Sequence, residues 1–295
     1  MQYQKKLQGA LYVFLSAILY GSYGVWSVLL GPDFGTFFQA YVRAFLVLSF
    51  LIPLCMYYKS WIRIDVRDYK KFSWLIFCVI FTQAPIYYAY QHSGIGITNL
   101  IFFSTLLIVQ FLFGRFFLKE KFSWIKTISL ILALAGLFFV FKNSLGAFSF
   151  LALSMAILSG LASGAQSAST KLIPKKYSAI QISILSWGTS LITHMPISLY
   201  LGEKQLVPSF SMAWFYMLSF ALCGLLTFIL VIQGYKYIEA SIGGLIGLLE
   251  VVFAIIFGYL FFHENLTMVI VFGGAVILFA AILPYMHEIG KKYMK

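Results

Sequence analysis

A chain of 295 residues that is 61% hydrophobic, 19% aromatic and only 10% charged has too little polar material to coat a soluble globule, so it reads as an integral membrane protein. The net charge of +12 could suggest a nucleic-acid partner, but the basic residues fall in short gaps between apolar runs, where they report membrane topology instead. Cys55, Cys78 and Cys223 all lie in apolar runs without CxxC or Cys/His spacing, so neither a disulfide framework nor a metal site is expected.

Crossing a hydrocarbon core of roughly 30 Å takes about 20 mostly apolar residues. Ten such runs follow one another, at 7–30, 35–58, 72–92, 97–118, 124–142, 147–170, 178–201, 211–235, 241–262 and 267–287. The expected fold class is therefore all-α, integral to the membrane, with ten transmembrane helices. The short connections leave no room for a soluble domain, and no cleavable signal stands apart from the first span.

Polar residues inside the spans are where function should show. Span 1 carries Ser16, Tyr20, Tyr23 and Ser27 at helical spacing, and span 2 holds Arg43 about 11 Å deep. Its guanidinium suits a carboxylate fork, with packing the competing role. Span 3 aligns Gln83, Tyr87, Tyr90 and Gln91 beside Pro85, which should kink the helix. Ser159, Ser163, Gln166, Ser167 and Thr170 share one face of span 6. Small residues, including Gly160-x-x-x-Gly164 and Gly243-x-x-x-Gly247, read as helix contacts. The bulkier Gln83, Tyr87 and Gln166 read as cavity wall, with Tyr20 and Tyr90 on the same faces. His194 in span 7 reads as a satisfied interior group. Glu250 lies about 14 Å into span 9, close to the midplane. A carboxyl there is suited to carry a proton, to meet a substrate ammonium or to pair with Arg43.

Basic residues also orient the chain. With the N-terminus in the cytoplasm, 18 of the 21 fall inside: Lys5, Lys6, Lys59, Arg63, Arg67, Lys70, Lys71, Arg115, Lys119, Lys121, Lys126, Lys171, Lys175, Lys176, Lys236, Lys291, Lys292 and Lys295. Only Lys142 and Lys204 fall outside, so both termini are expected in the cytoplasm.

One phrase occurs twice. FLFGRFFLKEKFSW at 111–124 returns as IIFGYLFFHENLTM at 255–268, an offset of 144 that holds without a gap from the end of span 3 through span 5. AILYG at 17–21 likewise echoes AILSG at 156–160, Gln39 echoes Gln181, and Pro53-x-x-x-Tyr57 echoes Pro196-x-x-x-Tyr200. The chain divides into two five-helix units, 1–144 and 145–295. Five crossings are an odd number, so the second unit enters the membrane inverted. That accounts for Arg115, Lys119 and Lys121 in a cytoplasmic loop whose counterpart, on the outer side, has none of them. Inverted halves meeting at the midplane are built for alternating access.

LSAILYGSYGVWS (15–27), YVRAFLVLSFLIPL (41–54) and YKYIEASIGGLIGLLEVVFAIIFGYLFFHENLT (235–267) together resemble the EamA-type transporters of the drug/metabolite transporter superfamily. Tyr20 stands in place of that family's tryptophan, Val251 in place of a proline after Glu250, and His263 in place of a glycine before Glu264, so a proline-driven break in span 9 does not carry over. The resemblance implies a secondary transporter, with no cofactor, moving a small metabolite such as an amino acid across the cytoplasmic membrane. It points to export; proton coupling through Glu250 is an option. The partners are then the solute, protons and the lipid bilayer, with no nucleic acid and the oligomeric state open. The rival reading is a polytopic membrane enzyme or flippase acting on a lipid or carrier-linked sugar. No GxxxxGK[ST], HExxH or GxSxG is present.

Overall fold

The computed structural model describes residues 2–121 and 123–293, with side chains for 4–121 and 123–286. Lys295 and the side chains of Lys291 and Lys292 lie outside the described residues. Helices α1 (Gln2–Gly21), α2 (Tyr23–Leu30), α3 (Thr36–Tyr57), α4 (Tyr69–His92), α5 (Ile95–Phe116) and α6 (Trp124–Phe141) form the first half. Helices α7 (Phe150–Ser169), α8 (Ala179–Tyr200), α9 (Met212–Tyr235), α10 (Ala240–Gly247), α11 (Leu249–Phe262) and α12 (Met268–Tyr293) form the second. Spans 1 and 9 are each two helices, broken at Ser22 and at Leu248.

Among the described residues, nine stretches are long and apolar enough to cross a membrane. The expected seventh span, α8, is as long at 22 residues but more polar. Its polar side chains are not turned to lipid. Gln181, Ser183, Ser186, Ser190, His194 and Ser198 are all buried, because α8 packs against α3, α4 and α9 inside the bundle.

Contacts between the halves repeat under exchange of each span with its counterpart. The packing of α1 on α9 is matched by α7 on α4, α5 on α7 by α10 and α11 on α1, and α3 on α9 by α8 on α4. The pairs α3 with α8, α6 with α12 and α5 with α10 exchange with themselves. Turns repeat as well. Lys119 and His263 both take left-handed backbone with φ of 54°, and the amides of Glu120 and Glu264 bond back to the Gly114 and Gly258 carbonyls. Lys59 (φ 46°) and Gly202 (φ 67°) make a second such pair. The left-handed turn explains why the resembling family has glycine at the His263 position.

Two sets of loops tie the ends. At the basic end, Asp65 pairs with Lys176, Lys126 with Glu239, and Lys171 with Glu120 at 3.7 Å. Glu120 also caps α10, accepting from the Ala240 amide at 2.7 Å and the Ser241 amide at 3.4 Å. At the opposite end Glu203 accepts from the Phe37 and Phe38 amides at the start of α3, at 3.0 and 2.6 Å. Among the described residues most acidic side chains thus serve as helix caps or loop partners, whereas Glu250 lies inside a span.

Candidate functional site

Between the halves lies a cavity of about 370 Å³. Glu250 enters it from the first turn of α11, just past the Leu248 break. Despite Val251 in the proline position, the break is there: the Leu248 amide bonds Gly244 O at 2.9 Å and the Val251 amide closes a tighter turn onto Leu248 O at 3.0 Å. Gly21, beside the break in span 1, is pressed onto it. A Cβ built on Gly21 would come within 2.6 Å of Phe253 Cβ and 3.0 Å of Glu250 O. The two interrupted spans therefore meet where the cavity holds its acid, the arrangement that in transporters places a site at the midplane.

The rest of the wall mixes amide, hydroxyl and aromatic groups. Gln83, Tyr90, Gln166 and Tyr20 line it, as the sequence suggests, together with Ser163 and Ser167 of the α7 stripe. Among the described residues, no hydrogen bond or ion pair engages the Glu250 carboxyl.

Two of the candidate residues sit elsewhere. Arg43 does not pair with Glu250. It is buried behind the wall, its guanidinium carbon 4.2 Å from the Phe220 ring centre, 5.2 Å from that of Tyr23 and 5.6 Å from that of Trp187. Tyr23 and Trp187 themselves face the cavity, so Arg43 is one ring away from it. Tyr87 also points away. The wall takes Val79, Thr82, Gln83, Ile86 and Tyr90 from α4, and the ring of Tyr87, about 100° around the helix from Ile86, meets Phe37 edge-on at 5.5 Å. Phe37 in turn stacks on His194, closing that side with packed rings.

Sequence reasoning missed Ser186, Trp187 and Ser190 of α8, Gln110 of α5 and Tyr235 of α9, all of which face the cavity. Ser186 and Ser190 are one helical turn apart in a span whose polarity was the available signal. Ser190 Oγ reaches Gln83 Oε1 at 3.5 Å and His194 Nδ1 at 3.1 Å, joining the wall to the ring cluster. Gln110 lies in an apolar run and fits because Gly244 opposite it has no side chain. No group of three His, Cys, Asp or Glu able to hold a metal is found among the described residues.

An all-helical membrane protein of two inverted repeats, with broken helices meeting at a buried acid in a central cavity, has the architecture of a secondary carrier. The sequence profile of the EamA-like transporter family matches residues 7–142 and again 150–286, and the chain belongs to that family. It is a multi-pass membrane transporter of the drug/metabolite type. A solved crystal structure with 13% sequence identity superposes with a TM-score of 0.79, covering 93% of this chain and 97% of the other, which shows a shared fold. A search of curated protein sequences gave no match.

Proposed function

We propose that this chain exports a small, amino-acid-like metabolite across the cytoplasmic membrane by alternating access, with both termini in the cytoplasm and Glu250 as the group that exchanges a coupling proton or meets a substrate ammonium. The observation that carries this reading is a carboxyl without a protein partner among the described residues, inside a cavity shared by both repeats. A buried acid is costly unless it is neutralised by a proton or a cation, and either event couples the site to what passes through it.

Size supports a metabolite over a carrier-linked sugar or lipid. About 370 Å³ is roughly a dozen water volumes, enough for an amino acid with some of its hydration and too small for a lipid-linked oligosaccharide. Gln83, Gln166 and the serines offer hydrogen bonds to its polar end, and Phe102, Phe103 and Trp187 an apolar wall to its side chain. The direction of export rests on the family resemblance. The test is thermal stabilisation of the purified protein by amino acids, nucleosides and sugars. Selective stabilisation by one amino-acid class, lost on Gln166→Leu, is the expected result; stabilisation confined to sugars or nucleosides would overturn the substrate reading.

A further inference from the structure

The exchange of halves is incomplete at one end. Among the described residues α7 packs on α9 and α10, and α10 on α6, whereas the counterpart pairs, α1 with α4 and α5, and α5 with α12, have no comparable packing. The unmatched contacts gather at the basic end. Lys171, just past α7, donates to the Tyr235 carbonyl at 3.3 Å and to the Ile238 carbonyl, and Lys126 of α6 holds Glu239 at the start of α10. The basic end is therefore closed, and the equivalent closure at the opposite end is not made.

Glu120 is the centre of the closure. Its side chain is only 9% exposed; it accepts from the Ala240 and Ser241 amides and from the Ser241 hydroxyl at 3.3 Å, and it pairs with Lys171. Its repeat counterpart, Glu264, leaves a matching left-handed turn but is exposed, and among the described residues its carboxylate has no hydrogen bond or ion pair. The offset of 144 maps Ala240 and Ser241 onto Gly96 and Ile97, in the first turn of α5. That helix is preceded by Gly94, which offers no side-chain cap, and the Gly96 and Ile97 amides have no acceptor among the described residues. An acid without donors and two amides without an acceptor thus stand at the positions that the other half joins.

We propose that Glu264 is a gating residue, a role that rests on the alternating-access reading above: when the basic end opens, the Glu264 carboxylate caps α5 at the Gly96 and Ile97 amides, as Glu120 caps α10 here. Gly96, smaller than Ala240, leaves room for the loop to approach. The two latches are unequal. Ile97 has no hydroxyl to add, and the stretch that corresponds to Lys171, at 29–32, holds no lysine, so Glu264 gains two hydrogen bonds where Glu120 holds three and an ion pair. The conformer closed at the basic end is accordingly the more stable of the two.

The experiment is cysteine crosslinking of the full chain. Ile95 and Asn265, both exposed, are the repeat counterparts of Glu239 and Lys121, which meet at the Lys126 ammonium. A chain carrying Ile95→Cys and Asn265→Cys should be joined slowly by a short bis-maleimide, scored by mass spectrometry of the linked peptides, with the single-cysteine variants as controls for Cys55, Cys78 and Cys223. Glu264→Ala should slow the linkage roughly fivefold and Glu120→Ala should speed it by a similar factor. Glu264→Gln should fall between Glu264→Ala and wild type, because its amide oxygen still accepts. Linkage that Glu120→Ala speeds but Glu264→Ala leaves unchanged, or no linkage in any background, would overturn the latch. Stabilisation of the wild-type protein by a solute does not depend on these outcomes, so a transporter that lacks this latch is told apart from a failure of the transport reading itself.

Discussion

Gly21→Ala should loosen the contact on which the site is built. The added Cβ would stand 2.6 Å from Phe253 Cβ, 2.9 Å from the Ala254 nitrogen and 3.0 Å from Glu250 O. Two of these three neighbours are backbone and cannot rotate away, so α1 and α11 must separate. Overpacking of this kind costs about 1–3 kcal/mol. Alanine in place of glycine in a helix returns up to about 1 kcal/mol, less at the last residue of α1, which leaves a net loss of about 1–2 kcal/mol. Gly24, three residues on, has nothing within 4 Å of its own ideal Cβ. Gly24→Ala should therefore be neutral or slightly stabilising. The repeat supplies a third member of the set: a Cβ on Gly160 would meet Phe102 O at 2.7 Å and Thr105 Cβ at 2.8 Å, so Gly160→Ala should lose stability like Gly21→Ala. Unfolding of the three variants followed by tryptophan fluorescence separates them. Equal stability of Gly21→Ala and Gly24→Ala would refute the close approach of the two broken spans.

Three further outcomes are expected. Glu120→Ala removes the α10 cap and the partner of Lys171 and should cost about 1–2 kcal/mol in the same assay, whereas Glu264→Ala, at an exposed position, should stay within about 0.5 kcal/mol. His263→Gly should stabilise by up to about 1 kcal/mol, since it relieves a left-handed residue at φ 54°; a loss of stability would mean that the His263 side chain outweighs the backbone term. Reporter fusions after Lys295 and in the loop at Arg63 should read as cytoplasmic and one at Asn265 as external; an internal signal at Asn265 would contradict the inverted repeat.

The repeat was legible because the 144-residue echo preserves turns as well as helices, down to the paired left-handed residues Lys119 and His263. Glu250 was legible because an acid at that depth has few other uses. Arg43 stayed open between a site role and packing for the same reason: depth alone does not distinguish a charge that faces a cavity from one sheathed by Phe220, Tyr23 and Trp187. Tyr87 and Tyr90 lie close on a helical wheel, and only tertiary packing sends Tyr87 to Phe37 and Tyr90 to the cavity. The break in span 9 stands at Leu248 without a proline, with Gly247 just before it and Gly21 packed against the helix that follows. Span 7 shows the converse. Its polarity weakens it as an apolar run and marks the face that it buries against α3, α4 and α9.

Glu250→Gln in proteoliposomes tests the central claim most directly. The amide keeps the shape of the protonated carboxyl and cannot ionise. If Glu250 carries the coupling proton, the variant should lose accumulation driven by a pH gradient and keep substrate exchange across the membrane; if it meets a substrate ammonium, exchange and ligand stabilisation should both collapse. Either result places Glu250 in the transport cycle. Wild-type gradient-driven transport by a well-folded Glu250→Gln protein would contradict the account.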